Sequence, residues 1–235
     1  MTAANPAANH HQPPAGRPAQ FRYGIVFLLT LGLVVFVIAA PGTNWSRATA
    51  IAIEGIALIV AVATARERRD VRRRMAAGVG LAMIVLILLV ATGAASEELI
   101  EAANVIFTAA IPVVIVGGLL RLLRERGVTI QAVAGALAIY LCLGLVFAWI
   151  IGIITHVDST LYFAQQTDGT EGDRLYFSFT VLTTTGFGDF SAATPAGHAL
   201  AVVEMLTGQL YLVTVIGLLI GNFVGRQKTT QSPTR

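Results

Sequence analysis

Six long apolar segments are the feature that most restricts how this 235-residue chain can fold. A helix needs about twenty mainly apolar residues to cross a bilayer, and each segment is close to that length. The chain is also 55% hydrophobic and 12% charged, whereas soluble domains are roughly a quarter charged. The sequence therefore predicts an all-α membrane protein with six transmembrane helices. They run approximately over 21–40, 48–65, 76–93, 102–122, 129–155 and 196–225.

Basic connections alternate with acidic or nearly neutral ones between these segments. Lysine and arginine in short loops remain on the cytoplasmic side. We therefore expect a multi-pass protein of the plasma membrane with both termini in the cytoplasm and residues 156–195 outside. The same pattern accounts for the pI of about 9.4 without a nucleic-acid partner. The basic residues are Arg17, Arg22, Arg66, Arg68, Arg69, Arg72, Arg73, Arg74, Arg121, Arg124, Arg126, Arg226 and Lys228.

The pattern divides the chain into four regions. We predict a disordered cytoplasmic tail at 1–20, a four-span peripheral domain at 21–127, a pore domain at 128–226 and a short cytoplasmic tail at 227–235. The last tail is too short for a soluble ligand-binding domain, and we expect no cofactor. The arginine-dense residues 66–74 are a candidate site for anionic lipid headgroups, although membrane topology explains them without that role.

One apolar stretch, 173–184, is too short to cross the bilayer and runs into Thr183-Thr184-Thr185-Gly186-Phe187-Gly188-Asp189. Non-helical backbone survives at membrane depth only where it is buried in protein or lines a water-filled path. Rings of backbone carbonyls select K⁺ by replacing its hydration shell. Glycine adopts positive φ at little cost, so Gly186 and Gly188 suit a strand that aims its carbonyls at one axis.

The residues from Thr184 to Asp189 resemble the potassium-channel signature. The order of span, half-helix, filter and span over roughly 129–228 resembles that family's pore module. Since one chain supplies one filter strand and a ring of four is needed, the resemblance implies a homotetramer. It also implies passive K⁺ conduction, with K⁺ bound by Thr184, Thr185, Gly186 and Phe187, Gly188 ending the filter, and Asp189 bracing its outer mouth.

Other residues are predicted to support the filter. The family usually has tyrosine where Phe187 stands, and we expect Phe187 to pack on Phe177 of the pore helix as an apolar ring pair. Tyr176 is expected to hydrogen-bond Asp189. Thr183 marks the end of the pore helix, whose partial negative charge should face a hydrated cation. The acids before the pore helix would raise the local cation concentration, or would simply be solvated.

Three residues within the spans have open interpretations. Gly208 lies at the depth where inner helices of this family bend, but glycine also allows close packing in membranes. Glu204 is expected to lie behind the pore helix, with Thr180 or Ser178 accepting its proton, as a brace rather than a proton sensor. Glu54 has Asn104 or Thr108 as possible partners and no assigned role.

The fourth span tests for a voltage sensor, which needs several basic residues within the membrane field. Residues 103–120 contain none, so the peripheral domain resembles a voltage-sensor domain without gating charges. The alternatives are a weakly selective monovalent cation channel and a secondary transporter. A transporter should have broken helices in both halves, and an enzyme should have a cluster of reactive side chains. Neither pattern is present.

Overall fold

The computed structural model describes residues 23–64, 69–157, 160–217 and 219. Within these ranges the regular structure is helical, and the last helix continues into a π-helix at Leu212–Ile216. The predicted tails, and the end of the predicted last span, lie outside the described residues. The helices are α1 (Tyr23–Ala39), α2 (Asn44–Thr64), α3 (Arg69–Ala91), α4 (Glu97–Arg126), α5 (Ile130–Val157), α6 (Glu171–Leu182) and α7 (Pro195–Tyr211).

Five of the described helices are long and apolar enough to cross a membrane, namely α2, α3, α4, α5 and the helix that begins with α7. The remaining candidate, α1, is apolar but shorter, with 17 residues. At 12 residues, α6 is about 18 Å long at 1.5 Å per residue, so it cannot cross. The fold is therefore that of a helical multi-pass membrane protein.

Several helix boundaries differ from the predicted ones. The third helix begins at Arg69 rather than near residue 76, and the fourth covers Glu97–Arg126 rather than 102–122. Arginine and glutamate are good helix formers, so these helices continue past their apolar parts. The predicted pore helix corresponds to α6, which begins at Glu171 rather than Asp173, because Thr170 and Asp173 form a capping box around its first turn.

The helix α5 lies at the centre of the molecule. Residues 127–129 alone connect it to α4, so the two helices form a hairpin. It also packs against α1 and α6, while α3 packs mainly on α2. We call α1–α4 the peripheral bundle. Because the α4–α5 connection is so short, this bundle packs against α5 and α6 of its own chain.

A buried ion pair joins the peripheral bundle to α6. The Arg174 guanidinium lies 2.8 Å from Glu101 Oε1, and both side chains are almost completely buried. Arg174 also donates to the carbonyl oxygen of Gly169 at 3.1 Å. Gly152 of α5 leaves room for the pair, since a Cβ there would lie 2.5 Å from the Glu101 carboxyl carbon.

Arg47 of α2 forms a second link at the same end of the bundle. It lies 2.5 Å from Glu97 of α4 and 2.6 Å from Glu171 of α6. The start of α6 also rests on the end of α1, where a Cβ at Gly172 would lie 3.2 Å from the carbonyl oxygens of Val37 and Ile38. Three helices of the bundle therefore fix the first turn of α6.

The Arg174–Glu101 pair gives a stability prediction. Removing one partner of a buried pair leaves the other charge uncompensated, at a cost of about 3–5 kcal/mol. We expect Arg174→Met to lower the melting temperature of the detergent-solubilised protein strongly. The matched control is the double variant Glu101→Leu/Arg174→Met, which removes both charges and should recover most of the loss. Equal melting temperatures for the single and double variants would contradict the pairing.

Candidate functional site

The site begins where α6 ends and the chain turns back through residues 183–189, here called the filter turn. The last residues of α6 are buried, and α5 reaches its end, where the Tyr140 hydroxyl donates to the carbonyl oxygen of Leu182 at 3.3 Å. The Thr183 hydroxyl donates to the carbonyl oxygen of Phe179 at 2.6 Å and so closes the last turn. These contacts therefore hold the residue at which the filter turn begins in a defined position.

Positive φ recurs at every second residue of the filter turn. The values are +56° at Thr184, +54° at Gly186 and +81° at Gly188. Residues with alternating handedness direct their carbonyls toward the same side of a strand, unlike the alternating carbonyls of a β-strand. This is the backbone form that the two glycines predicted, extended by one residue at the inner end.

The amide groups at the inner end of the filter turn face back toward α6. Thr184 donates to the carbonyl of Val181 at 2.9 Å, and both Thr185 and Gly186 donate to the carbonyl of Thr180, at 2.8 and 3.1 Å. Carbonyls at a helix C-terminus have no partner within the helix, so these contacts satisfy both sets of groups. Among the described residues, the Thr183 carbonyl accepts from the Thr184 hydroxyl, while the carbonyls of Thr184 to Gly188 are left to bind another group.

The filter turn is open on the side away from α6. All seven of its residues are exposed within one chain, including Phe187, whose side chain is 67% exposed. The neighbouring α7 exposes a row of large apolar side chains at helical spacing, which favours a further protein surface or lipid. They are Val202, Val203, Leu206, Leu210 and Val213.

The outer end of the filter turn contacts Tyr176. Its hydroxyl donates to Asp189 Oδ2 at 2.8 Å, which is the predicted contact. This hydrogen bond raises the pKa of Tyr176, so the hydroxyl keeps its proton at neutral pH. The ring of Phe187 is parallel to that of Tyr176, with 6.3 Å between centroids.

The predicted pairing of Phe187 with Phe177 does not form within one chain. Phe177 is buried and packs edge-to-face on Tyr162 and Phe163, at 6.2 and 5.2 Å between centroids. The reason is the direction of the two side chains: consecutive residues on α6 point about 100° apart, so Tyr176 faces the filter turn while Phe177 faces the α5–α6 loop.

Glu204 is buried behind α6 and contacts Ser178. The Ser178 hydroxyl lies 2.5 Å from Glu204 Oε1 and 2.7 Å from the carbonyl oxygen of Gly144 on α5. A hydroxyl has one proton, and a carbonyl only accepts. Both contacts are hydrogen bonds when Glu204 carries a proton and donates it to Ser178. The group then joins α5, α6 and α7 behind the filter turn.

Glu54 contacts Thr108, one of the two partners predicted for it. It is buried in the peripheral bundle, where the Thr108 hydroxyl of α4 donates to it. It lies away from the filter turn, because its helix packs on α1, α3 and α4. The structure gives Glu54 a hydrogen-bond partner but no place in this site.

Gly208 allows α7 to approach the end of α6. A Cβ built on Gly208 would lie only 2.3 Å from the carbonyl oxygen of Leu182. This contact favours the packing role that the sequence left open, and the helix remains regular at Gly208. The irregularity of the inner helix is the π-helix at Leu212–Ile216, and such insertions are a common origin of bends. The hinge role of Gly208 stays a prediction.

The described acids in the first turn of α6 and in the loop before it have structural partners. Asp168 accepts a hydrogen bond from the Tyr162 amide at 2.9 Å, and Asp173 caps α6. Glu171 pairs with Arg47. These partners favour a local structural role over attraction of cations. Asp158, another of the acids that the sequence analysis placed before the pore helix, lies outside the described residues.

Sequence reasoning missed two residues at this site. Arg174 could have been found from the sequence, because it is an isolated charge in an apolar half-helix. Gln209 follows Gly208, and its Nε2 lies 2.8 Å from Thr184 Oγ1. One polar residue in a membrane helix gives little indication of its partner, so this contact had no sequence signal beyond its position.

The close approach at Gly208 predicts that a larger side chain will not fit at this position. Gly208→Ala should push α7 away from Leu182 and lower both the melting temperature and the ion flux of the reconstituted protein. Gly217→Ala is a matched control, because the nearest atom to its Cβ would be 3.9 Å away. Equal effects of the two substitutions on melting temperature would contradict a packing role for Gly208.

The Tyr176–Asp189 hydrogen bond predicts a kinetic effect. Tyr176→Phe removes the hydroxyl but keeps the ring that stacks on Phe187, so the outer end of the filter turn should be held less firmly. We expect current through the reconstituted protein to decline faster during sustained opening. Unchanged decay kinetics would show that this bond does not hold the turn.

Comparison with known proteins gives one match. Residues 135–224 match a family model described as an ion channel, a segment that covers less than half of the chain. No curated protein and no solved structure matches the chain. The matched segment contains most of α5, all of α6, the filter turn and α7. The match therefore supports an ion channel domain in the part of the chain that builds this site.

Proposed function

We propose that this protein is a subunit of a homotetrameric potassium channel of the plasma membrane that conducts K⁺ passively. The observation that carries the proposal is the backbone of the filter turn. Its φ angles alternate in sign while three of its amides bond back to α6. A strand of this form presents a line of carbonyl oxygens, which is what a dehydrated K⁺ requires.

The homotetramer follows from the geometry of coordination. One strand can contact an ion on one side only, whereas four strands around an axis surround it. The exposure of all seven filter-turn residues, and of the apolar row on α7, fits a surface covered by further copies. Cyclic symmetry then makes the four interfaces identical.

Selectivity requires that the carbonyls keep their number and spacing. The contacts of Tyr176 with Asp189 and of Ser178 with Glu204 brace the turn at its outer end and from behind. Thr184, Thr185, Gly186 and Phe187 provide the coordinating oxygens in this proposal. Gly188 ends the filter and Asp189 anchors it.

A weakly selective monovalent cation channel is the second candidate, and one observation favours it. Phe187 has no hydroxyl, and within one chain its ring stacks on the half-buried Tyr176 rather than on the buried Phe177. A less firmly held Phe187 carbonyl would adapt more readily to Na⁺. The two candidates share a pore and differ in the ratio of K⁺ to Na⁺ flux.

The proposal does not include conventional voltage gating, since residues 103–120 of α4 contain no basic residue. It includes contact between anionic lipid headgroups and the arginines of residues 66–74. Arg73 and Arg74 are exposed at the start of α3, and each arginine near an anionic surface contributes about 1 kcal/mol. Residues 65–68 lie outside the described residues.

Reconstitution in liposomes with a K⁺ gradient tests the proposal. We expect K⁺ flux that exceeds Na⁺ flux at least about tenfold, which corresponds to roughly 1.4 kcal/mol of discrimination. Gly186→Ala is the matched variant, because its Cβ meets no atom within 4 Å but positive φ is unfavourable for alanine. It should assemble and lose flux. Equal K⁺ and Na⁺ flux would favour the second candidate, and no flux of either ion would contradict both.

A further inference from the structure

The inner end of the filter turn contains an unusual conformation. Thr184 has φ of +56°, although a β-branched residue rarely adopts positive φ. Such a conformation is strained and persists only where its surroundings fix it. The contacts of Thr184 therefore indicate which groups hold this end of the turn.

Two contacts of Thr184 come from its own segment. Its amide donates to the carbonyl of Val181 at 2.9 Å, and its hydroxyl donates to the carbonyl of Thr183 at 2.7 Å. A third comes from the inner helix, where Gln209 Nε2 lies 2.8 Å from the Thr184 hydroxyl oxygen. The close approach of α7 at Gly208 brings the next residue, Gln209, into this position.

The proton count fixes the direction of the third contact. A threonine hydroxyl has one proton and two lone pairs. Its proton is directed to the Thr183 carbonyl, so the Gln209 amide is the donor. One lone pair of the Thr184 hydroxyl oxygen accepts that hydrogen bond and the other stays free. The hydroxyl proton points to the Thr183 carbonyl and not toward a cation.

We propose that Gln209 is a positioning residue for the innermost K⁺ site, where it fixes the side-chain rotamer of Thr184. This inference rests on the proposed function and adds a determinant from the inner helix. A hydroxyl with a fixed proton offers the ion an oxygen lone pair. Without the amide, the Thr184 side chain can rotate among its staggered rotamers, and the ring of four hydroxyls loses its common orientation.

Gln209→Met tests the proposal, because it keeps the length of the side chain and removes the amide donor. We expect the half-saturating K⁺ concentration for flux to rise about three- to tenfold, the size of one hydrogen bond, and the K⁺-to-Na⁺ flux ratio to fall. A variant that only reduces the amount of folded protein would scale the flux without changing either quantity. Thr207→Val is the matched control on α7, since the Thr207 hydroxyl bonds its own helix at Val203, and it should leave both unchanged.

A double-mutant cycle separates action through Thr184 from a direct effect on the cavity. In a Thr184→Val background, Gln209→Met should cause no further change. The K⁺ dependence of the melting temperature of the assembled protein gives a second readout, because at a given concentration a ligand that binds the folded state more tightly stabilises it more. This measurement does not require the channel to be open.

Unchanged K⁺ affinity in Gln209→Met, or an equal effect with and without the Thr184 hydroxyl, would overturn the inference while leaving the channel function intact. Absence of K⁺ flux and of K⁺-dependent stabilisation in the unsubstituted protein would instead contradict the proposed function, and this inference with it.

Discussion

Backbone groups inside a bilayer find no water, and each unpaired one costs several kcal/mol. The filter turn meets this constraint with three amides that bond the carbonyls of Thr180 and Val181. The arrangement works in both directions, because a helix that ends inside protein also needs partners for its last carbonyls. The turn and α6 therefore form one hydrogen-bonded unit, and the remaining structure serves to hold that unit in place.

Buried polar groups hold α6 from three sides. Arg174 pairs with Glu101 of α4, Ser178 links Glu204 of α7 to α5, and the Tyr140 hydroxyl of α5 reaches Leu182. Each of these groups is costly to bury unless it has a partner. A peripheral bundle that lacks charges in the middle of α4 thus still contacts α6 directly, through the ion pairs at its end.

The close approach of α7 to α6 at Gly208 also positions the next residue, Gln209. The missing side chain at Gly208 allows α7 to lie against Leu182, and this places the Gln209 amide beside Thr184. The π-helix begins three residues later, at Leu212. A bend of the inner helix there would leave the segment that contacts the filter turn attached to α6.

The sequence predicted the features that depend on local pattern. Apolar length predicted the helices, and the two glycines predicted the positive φ at Gly186 and Gly188. Tyr176 followed from its position on the half-helix. The sequence offered the partners of Glu54 and Glu204 among alternatives, but it gave no indication of the partner of Arg174, 73 residues away, or of that of Gln209, 25 residues away. The Phe177 prediction failed within one chain because the side-chain directions on α6 were not considered.

Helix ends were also poorly predicted, since hydropathy locates the apolar part of a helix and says little about where the helix stops. The charged first turns of α3 and α4 are examples. The positive φ of Thr184 had no sequence signal, because threonine gives no indication of a left-handed conformation.

The most direct measurement is the structure of the assembled protein in Rb⁺ or Tl⁺, with anomalous scattering used to locate the ions. We expect a fourfold axis and ion peaks on it between the carbonyls of Thr184 and Phe187, with the innermost peak beside the Thr184 hydroxyl. An assembly whose filter turns do not face one axis, or an axis without ion peaks at these carbonyls, would contradict this expectation.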